Sequence, residues 1–238
     1  MDKELATARW LLAQGFPGVR PRDDLPQPIA TEGRLVTFWE YIPASQPTPE
    51  LSDLAVLLRR LHTLPDPDFD VPRLDPFPRM RERLSKAEGV READVEFLAD
   101  SCRAAEDEFH TLVVANPSSY GLVHGDAHRG NLLRHGQQVL LIDYEAVAMG
   151  PRAWDLLPTA TAVDRFGLST TEYAAFVETY GTDVTRDPGY RTLRTVRELG
   201  MTTWLMQNVV EYPAAAREFA LRMESLRRRD LVARWHAL

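Results

Sequence analysis

A stretch near the middle of the chain constrains the fold most, because two apolar runs flank a polar turn. Leu132–Leu133 and Val139–Ile142 are separated by the polar segment RHGQQ. This pattern predicts a β-hairpin. With the turn centred near the glycine, Asn131 faces Ile142 or Asp143. An amide oxygen and a carboxylate therefore lie at the same end of the predicted ribbon.

A third oxygen donor precedes the hairpin. Asp126 lies in a polar loop bounded by glycines, so three hard oxygen donors, Asp126, Asn131 and Asp143, are expected at one rim. Mg²⁺ takes oxygen ligands and is usually bound by one or two carboxylates plus substrate phosphates. We therefore predict a magnesium site at this end of the hairpin.

Two histidines of the same loop, His124 and His128, are four residues apart, which is a spacing of zinc ligands on a helix. Gly125 and Gly130 argue against a helix at this position, so a zinc site is disfavoured. His128 is interpreted as a structural residue, with a place in the substrate pocket as the alternative.

Composition restricts the class of protein. A chain of 238 residues is long enough for one large domain or two lobes. Its net charge of −7 argues against nucleic acid as the main partner. The single cysteine, Cys102, excludes an internal disulfide framework and a cysteine-based zinc cluster. No signal peptide is evident, and no apolar run approaches the roughly 18 residues that span a membrane, so we expect a cytoplasmic protein.

Apolar residues at helical spacing predict a largely helical chain on both sides of the hairpin. Cys102 lies on the apolar face of one such helix and is expected to be buried. The predicted helices are Lys3–Gln14, Leu51–Leu64, Arg79–Ala87, Asp94–Val113, Ala153–Phe166, Thr170–Tyr180, Tyr190–Val210 and Ala214–Trp235.

A second hairpin is predicted between Pro28 and Ile42, with its turn at EG and a return strand LVTFWEYI of strong β type. The aromatic residues Phe38, Trp39 and Tyr41 are expected to pack in the core beside the backbone of this strand. Three prolines between residues 43 and 49 mark a boundary between lobes at 1–43 and 44–238.

The central stretch resembles the aminoglycoside phosphotransferase and choline kinase-like family, which has a protein-kinase-like fold. The family motifs HGDxHxGN, ID[WYF] and GxPxxDL match His124–Asn131, Ile142–Tyr144 and Gly150–Leu156. LRRLHTLP and VTFWEYIP also match the first large-lobe helix and the strand that leads into the hinge. The resemblance implies an α+β, two-lobed fold with a truncated small lobe and a mostly helical large lobe.

The resemblance also implies roles for the motif residues. Asp126 is the catalytic base, which accepts the proton of the substrate hydroxyl. His124 belongs to the same catalytic motif and fixes the loop. Asn131 and Asp143 hold Mg²⁺ against the phosphates of ATP. Asp155 supports the loop through backbone hydrogen bonds or caps a helix.

Five further residues are expected around the ligands. Backbone groups of Glu40, Tyr41 and Ile42 are implied to meet the edge of the adenine ring. His128 and Glu145 are candidates to line the substrate site, and a solvated surface carboxylate is the alternative for Glu145.

The chain departs from the family in its small lobe. A complete member has further strands before the first helix, which carry a phosphate-binding loop and a lysine that pairs with a helix glutamate. Here Glu4 matches that glutamate, but the only lysines are Lys3 and Lys86, and the first glycine is Gly15. Three explanations are open: an N-terminally shortened product, a natural short form, or a chain that no longer transfers phosphate.

The implied function is transfer of the γ-phosphate of ATP to a hydroxyl of a small molecule, such as an aminoglycoside-like antibiotic, a sugar or an amino alcohol. A binding or regulatory module without phosphoryl transfer is the first alternative. A metal-dependent hydrolase that uses Asp126, His128 and Asp143 is the second. The sequence leaves the substrate and the oligomeric state open.

Overall fold

The computed structural model describes residues 2–115 and 119–237, and it combines helices with short antiparallel strands. The helices are α1 (Asp2–Ala13), α2 (Leu51–Leu61), α3 (Phe77–Ser85), α4 (Glu92–Ala115), α5 (Leu157–Arg165), α6 (Thr170–Tyr180), α7 (Tyr190–Met206) and α8 (Pro213–Arg228). The strands are β1 (Ile29–Thr31), β2 (Arg34–Val36), β3 (Tyr120–Val123), β4 (Leu132–His135), β5 (Gln138–Leu141) and β6 (Ala148–Pro151). In the part of the chain that is described, no helix is long and apolar enough to cross a membrane.

The central hairpin is confirmed. Strands β4 and β5 pair antiparallel, with Leu132 opposite Leu141. Gly136 provides the turn with a φ of +58°, a conformation that costs glycine little. The N–H of Ile142 donates to the carbonyl oxygen of Asn131 over 3.0 Å, which continues the predicted register by one residue.

A second antiparallel pair, β3 with β6, brackets this hairpin and was not predicted. Val123 pairs with Ala148 and Gly121 with Gly150. The glycine is required at position 150, because a Cβ there would come within 2.8 Å of the Cβ of Leu74. The two strands hold the loop after β3 and the segment before β6 side by side.

The first hairpin is also confirmed but is shorter than predicted. Strands β1 and β2 pair with Ile29 opposite Val36, and the turn uses Glu32 and Gly33 with φ values of 49° and 72°. After Val36 the chain stays extended, and the N–H of Glu40 donates to the carbonyl of Arg20 over 2.8 Å.

The expectation that the aromatic cluster of this segment packs in the core was wrong for two of its members. Phe38 is 38% exposed and Tyr41 is 89% exposed. The extended segment is paired on one side only, through a bridge between Pro21 and Trp39. With the other side of the segment unpaired, Phe38 and Tyr41 stay exposed, whereas Trp39 is half-buried.

The chain divides into two compact units. The first comprises Met1–Leu74, Ser119–Pro158 and Thr171–Thr182, and the second comprises Asp75–Ser118, Thr159–Thr170 and Asp183–Leu238. Helices α1 and α2 bury leucines in the core of the first unit, and Leu54 and Leu58 of α2 are fully buried. The lobe boundary at residue 43 stays a prediction.

The second unit is built on α3, α4 and α7. Phe77 and Phe109 meet edge to face at 5.7 Å. Cys102 of α4 is buried as predicted, and its Sγ lies 3.7 Å from Sδ of Met80. Burial raises the pKa of the Cys102 thiol to about 11, so this cysteine is a packing residue rather than a nucleophile.

The end of the chain corrects the prediction of a helix up to Trp235. Helix α8 ends at Arg228, and Arg229 adopts a left-handed conformation with a φ of 53°. Three buried arginines donate hydrogen bonds to backbone carbonyl groups of the segment that follows α8. Arg165 donates to the carbonyls of Asp230 and Ala233, Arg194 to that of Leu231, and Arg222 to that of His236.

The ring of Trp235 lies between two of these arginines. The guanidinium carbons of Arg165 and Arg222 are 4.4 and 4.7 Å from the ring centroid, which is cation–π geometry. Glu198 and Glu218 pair with the arginines at 2.8 Å. We call this cluster, Arg165, Arg194, Arg222, Glu198, Glu218 and Trp235, the C-terminal clamp.

Trp235→Phe is expected to lower the free energy of unfolding by about 1–2 kcal/mol, because it removes the indole N–H that donates to Ser225 over 3.0 Å and weakens the cation–π contacts. Trp204→Phe, at a 47% exposed position of the same unit, is the matched control. Urea unfolding of both variants measures this loss of stability. Equal losses in the two variants would contradict a stabilising role of Trp235 in the clamp.

Candidate active site

One buried carboxylate, that of Asp155, accepts hydrogen bonds from the backbone of the loop that follows β3. Asp155 is fully buried, and its two oxygens accept the backbone N–H groups of His124 over 2.7 Å and Gly125 over 2.8 Å. Gly125 has a φ of +86°, and a Cβ there would come within 2.1 Å of the carbonyl oxygen of Ala146. Only glycine fits this turn, so the loop geometry is fixed by the backbone.

The same carboxylate accepts a hydrogen bond from a histidine that lies far away in sequence. Nε2 of His62 is 3.0 Å from Asp155, and its Nδ1 is 2.8 Å from the hydroxyl of Tyr180. Burial, and then the charge of Asp155, raises the pKa of Tyr180 to about 12, so the phenol keeps its proton. Tyr180 donates to His62, and His62 donates to Asp155.

His62 and Tyr180 were missed from the sequence. His62 stands in the LRRLHTLP match at the C-cap of α2, four residues after the buried Leu58, so the two residues lie on the same side of the helix end. That spacing was a usable signal for His62. Tyr180 gave none, because only the tertiary fold brings the end of α6 to this point.

His124 connects the loop to the hairpin. Its ring is fully buried, and Nε2 donates to the carbonyl oxygen of Ile142 over 2.9 Å. The ring also meets Tyr144 edge to face at 6.1 Å. These contacts tie the loop after β3 to the residues on both sides of Asp143, and they leave the ring no access to solvent.

Asn131 is oriented by a hydrogen bond from its amide nitrogen, which donates to the backbone carbonyl of Asp126 over 2.9 Å. Asn131 is 8% exposed, and its amide nitrogen is occupied by this hydrogen bond. The side chain of Asp126 is about half exposed, at 47%, and is accessible to solvent.

Asp143 follows β5 in a left-handed conformation, with a φ of 66°. Aspartate adopts this conformation more readily than most residues other than glycine, and such positions are concentrated at functional sites. Its register beside Ile142 places it next to Asn131, as predicted from the hairpin. Nζ of Lys3 donates to the carbonyls of Glu145 and Val147 over 2.5 and 2.8 Å, which fixes the segment after Asp143.

His128 and Glu145, the remaining candidate site residues, lie outside the buried hydrogen-bond network around Asp155. His128 accepts the N–H of Gly130 at Nδ1 over 3.0 Å, and its Nε2 is 3.6 Å from Oδ2 of Asp126. Glu145 has an exposed side chain. Among residues 2–115 and 119–237, no three His, Cys, Asp or Glu side chains are grouped so as to hold a metal ion.

A pocket of about 230 Å³ opens beside Asp143. Its lining consists of Glu4, Val19, Trp39, Glu40, Ile42, Leu133, Ile142, Asp143 and Tyr144. Apolar side chains form most of the wall, and acidic side chains stand at its edge. Of the three residues expected at an adenine ring, Glu40 and Ile42 line the pocket, whereas the side chain of Tyr41 extends into solvent.

The charges around the Glu4 carboxyl are of both signs. Burial raises the pKa of this carboxyl, the positive charges of the N-terminus and Lys3 lower it, and the negative charges of Asp143 and Glu145 raise it. All of these residues belong to the first unit.

Comparison with known proteins identifies the family of this chain. Residues 1–196 match the sequence model of the phosphotransferase enzyme family APH. The chain belongs to this family, and the resemblance inferred from its motifs is confirmed. A search of curated proteins gives no match.

Solved structures agree on the fold at low sequence identity. A choline/ethanolamine kinase family protein from Mesorhizobium loti is 17% identical with a TM-score of 0.64, and the match covers 94% of this chain and 79% of that one. An amicoumacin kinase in complex with AMP-PNP, Ca²⁺ and Ami is 15% identical with a TM-score of 0.71, covering 96% and 77%. A microcompartment-associated aminopropanol kinase is 20% identical with a TM-score of 0.64, covering 97% and 84%.

These structures confirm the predicted α+β, protein-kinase-like fold. They also support a small-molecule kinase as the class of enzyme.

Proposed function

We propose that this chain uses ATP and Mg²⁺ to phosphorylate a hydroxyl group of a small molecule. The observation that carries the proposal is the convergence of Asp126, Asn131 and Asp143 at one end of the hairpin, beside an apolar pocket. The family and the kinases of similar fold support it.

The pocket suits the adenine ring of the nucleotide. Val19, Leu133 and Ile42 supply apolar walls. The N–H of Glu40 is already used by the carbonyl of Arg20, so the carbonyl of Glu40 and the N–H of Ile42 are the groups on this edge that would pair with adenine. One acceptor and one donor match the amino group and ring nitrogen of that base.

The donors at the end of the hairpin fit a hard divalent cation. Asn131 presents its oxygen because its nitrogen is occupied, and Asp143 lines the pocket in a left-handed conformation. Mg²⁺ prefers one or two such protein ligands, with phosphate oxygens completing its shell. When bound, the cation would neutralise charge on the transferring phosphate.

Asp126 would accept the proton of the attacking hydroxyl. The substrate oxygen then forms its bond to the γ-phosphorus while the bond from that phosphorus to the β,γ-bridging oxygen breaks. The electron pair of that bond leaves with ADP, and the proton remains on Asp126 until it is released to solvent. The exposed position of the Asp126 side chain leaves space for a substrate.

Amino alcohols are the first substrates to screen. Kinases of similar fold are described as acting in choline, aminopropanol or aminoglycoside phosphorylation. A net charge of −7 favours a cationic substrate over an anionic one.

The proposal is tested by calorimetric titration of ATP into the 238-residue chain, with and without Mg²⁺. Binding is expected only with Mg²⁺, and Asp143→Ala is expected to weaken it at least about tenfold, a loss of about 1.4 kcal/mol. Asp66→Ala removes the same charge from an exposed loop and serves as the control.

Binding without Mg²⁺ and unaffected by Asp143→Ala would reject the metal site. Absence of nucleotide binding under all conditions would reject the kinase function and favour a binding module.

A further inference from the structure

His128 lies in the catalytic loop, but phosphoryl transfer as described above gives it no role. Its side chain is 45% exposed and that of Asp126 is 47% exposed, so both reach the space in front of the loop. His128 therefore belongs to neither the core nor the buried network around Asp155.

The backbone fixes which nitrogen of His128 carries the proton. The N–H of Gly130 donates to Nδ1 over 3.0 Å. A nitrogen that accepts a hydrogen bond in this way bears no proton, so the ring proton of the neutral imidazole is on Nε2.

The orientation of the ring is fixed as well. A Cβ at Gly130 would come within 2.8 Å of both Cε1 and Nδ1 of His128. The ring therefore occupies space that only a glycine at position 130 leaves open, and it lies directly over that backbone.

The protonated nitrogen faces the proposed base. Nε2 of His128 is 3.6 Å from Oδ2 of Asp126, which is longer than a hydrogen bond. Catalytic hydrogen bonds are often long without substrate and shorten when it binds. Asp126 is also connected from the other side, because its backbone carbonyl accepts the amide of Asn131.

We propose that His128 is a positioning residue for Asp126. Gly130 holds the imidazole as the Nε2–H tautomer, and this N–H orients the carboxylate of Asp126, which sets the direction of the oxygen that meets the substrate hydroxyl. The proposal rests on the proposed function for the role of Asp126, and on geometry alone for the tautomer.

A simpler role for His128 is to cap the short 3₁₀ turn Arg129–Asn131, whose first N–H groups it flanks. Two substitutions separate the roles. In His128→Asn the side-chain oxygen replaces Nδ1 as the cap, and asparagine is among the best caps, but the distal N–H is lost. In His128→Gln the amide N–H replaces Nε2–H, and the cap is lost.

The first measurement is turnover of Mg·ATP with water as the acceptor, followed by phosphate release. His128→Asn is expected to lower kcat about tenfold to a hundredfold, the loss that corresponds to one hydrogen bond to a charged group, with KM for ATP unchanged. His128→Gln is expected to retain most of kcat. A capping role would produce the reverse order, and that result would overturn the proposal.

The second measurement does not depend on activity. Nitrogen-15 spectra of the imidazole rings, with His128 assigned by comparison with His128→Gln, are expected to show the Nε2–H tautomer and a shift of Nε2 in Asp126→Asn. An Nδ1–H tautomer, or an Nε2 signal indifferent to Asp126→Asn, would overturn the proposal. Wild-type protein that neither binds nor turns over Mg·ATP would reject the proposed function, while the spectra would still decide the tautomer.

Discussion

Asp126→Asn is expected to lower turnover by about 10²–10⁴-fold while leaving the affinity for Mg·ATP unchanged. The asparagine side chain has nearly the same shape but cannot take the proton of the substrate hydroxyl. The change removes no packing, because the side chain is half exposed. The hydrogen bond that orients Asn131 is also kept, because it is accepted by the backbone of residue 126.

The measurement is single-turnover phosphate transfer at saturating ATP, together with calorimetric binding of Mg·ATP. Asp66→Asn, the same chemical change on an exposed loop, is the matched control and is expected to behave as wild type. Normal turnover in Asp126→Asn would show that the base is another group. Loss of nucleotide binding in this variant would show that Asp126 holds the metal rather than the substrate.

Asp155→Ala is expected to destabilise the protein by about 3–5 kcal/mol and to remove activity. The substitution leaves the N–H groups of His124 and Gly125 and the Nε2–H of His62 without an acceptor in a fully buried place. Removing one partner of a buried charged cluster typically costs this amount, because the remaining groups stay desolvated and unpaired.

Chemical denaturation measures the first effect, and the phosphate-transfer assay measures the second. Asp23→Ala provides the comparison, since it removes an exposed carboxylate paired with Arg9 and should change stability by less than about 1 kcal/mol. If Asp155→Ala were no more destabilising than Asp23→Ala, Asp155 would not be the support of the loop.

Local features of the sequence were sufficient to predict the central hairpin and its register. Leu132–Leu133 and Val139–Ile142 are joined by a short turn, so few chain conformations compete with their pairing. The positions of Asn131 and Asp143 followed from that register. The roles of Asp126 and Asp155 came from the family resemblance rather than from periodicity.

Features that depend on contacts between distant residues were not predictable in this way. Strand β3 pairs with β6 across the whole catalytic loop, and both strands contain glycine, which weakens the β signal. Asp155 receives His62 from α2 only after the helices have packed. Helix α8 was predicted too long because its apolar spacing continues to Trp235, whereas arginines from other helices determine where it ends.

The C-terminal clamp has a consequence for how the protein is made. Synthesis on the ribosome runs from the amino to the carboxyl end, so Arg165, Arg194 and Arg222 emerge well before the carbonyl groups of residues 230–236 that they bind. Until those residues emerge, the arginines lack these acceptors and keep the carboxylates of Glu198, Glu218 and Asp164, and the second unit lacks the buried side chain of Trp235. Completion of this unit therefore waits for residues 230–236, and a nascent chain that stalls before them would be a substrate for chaperones and proteases.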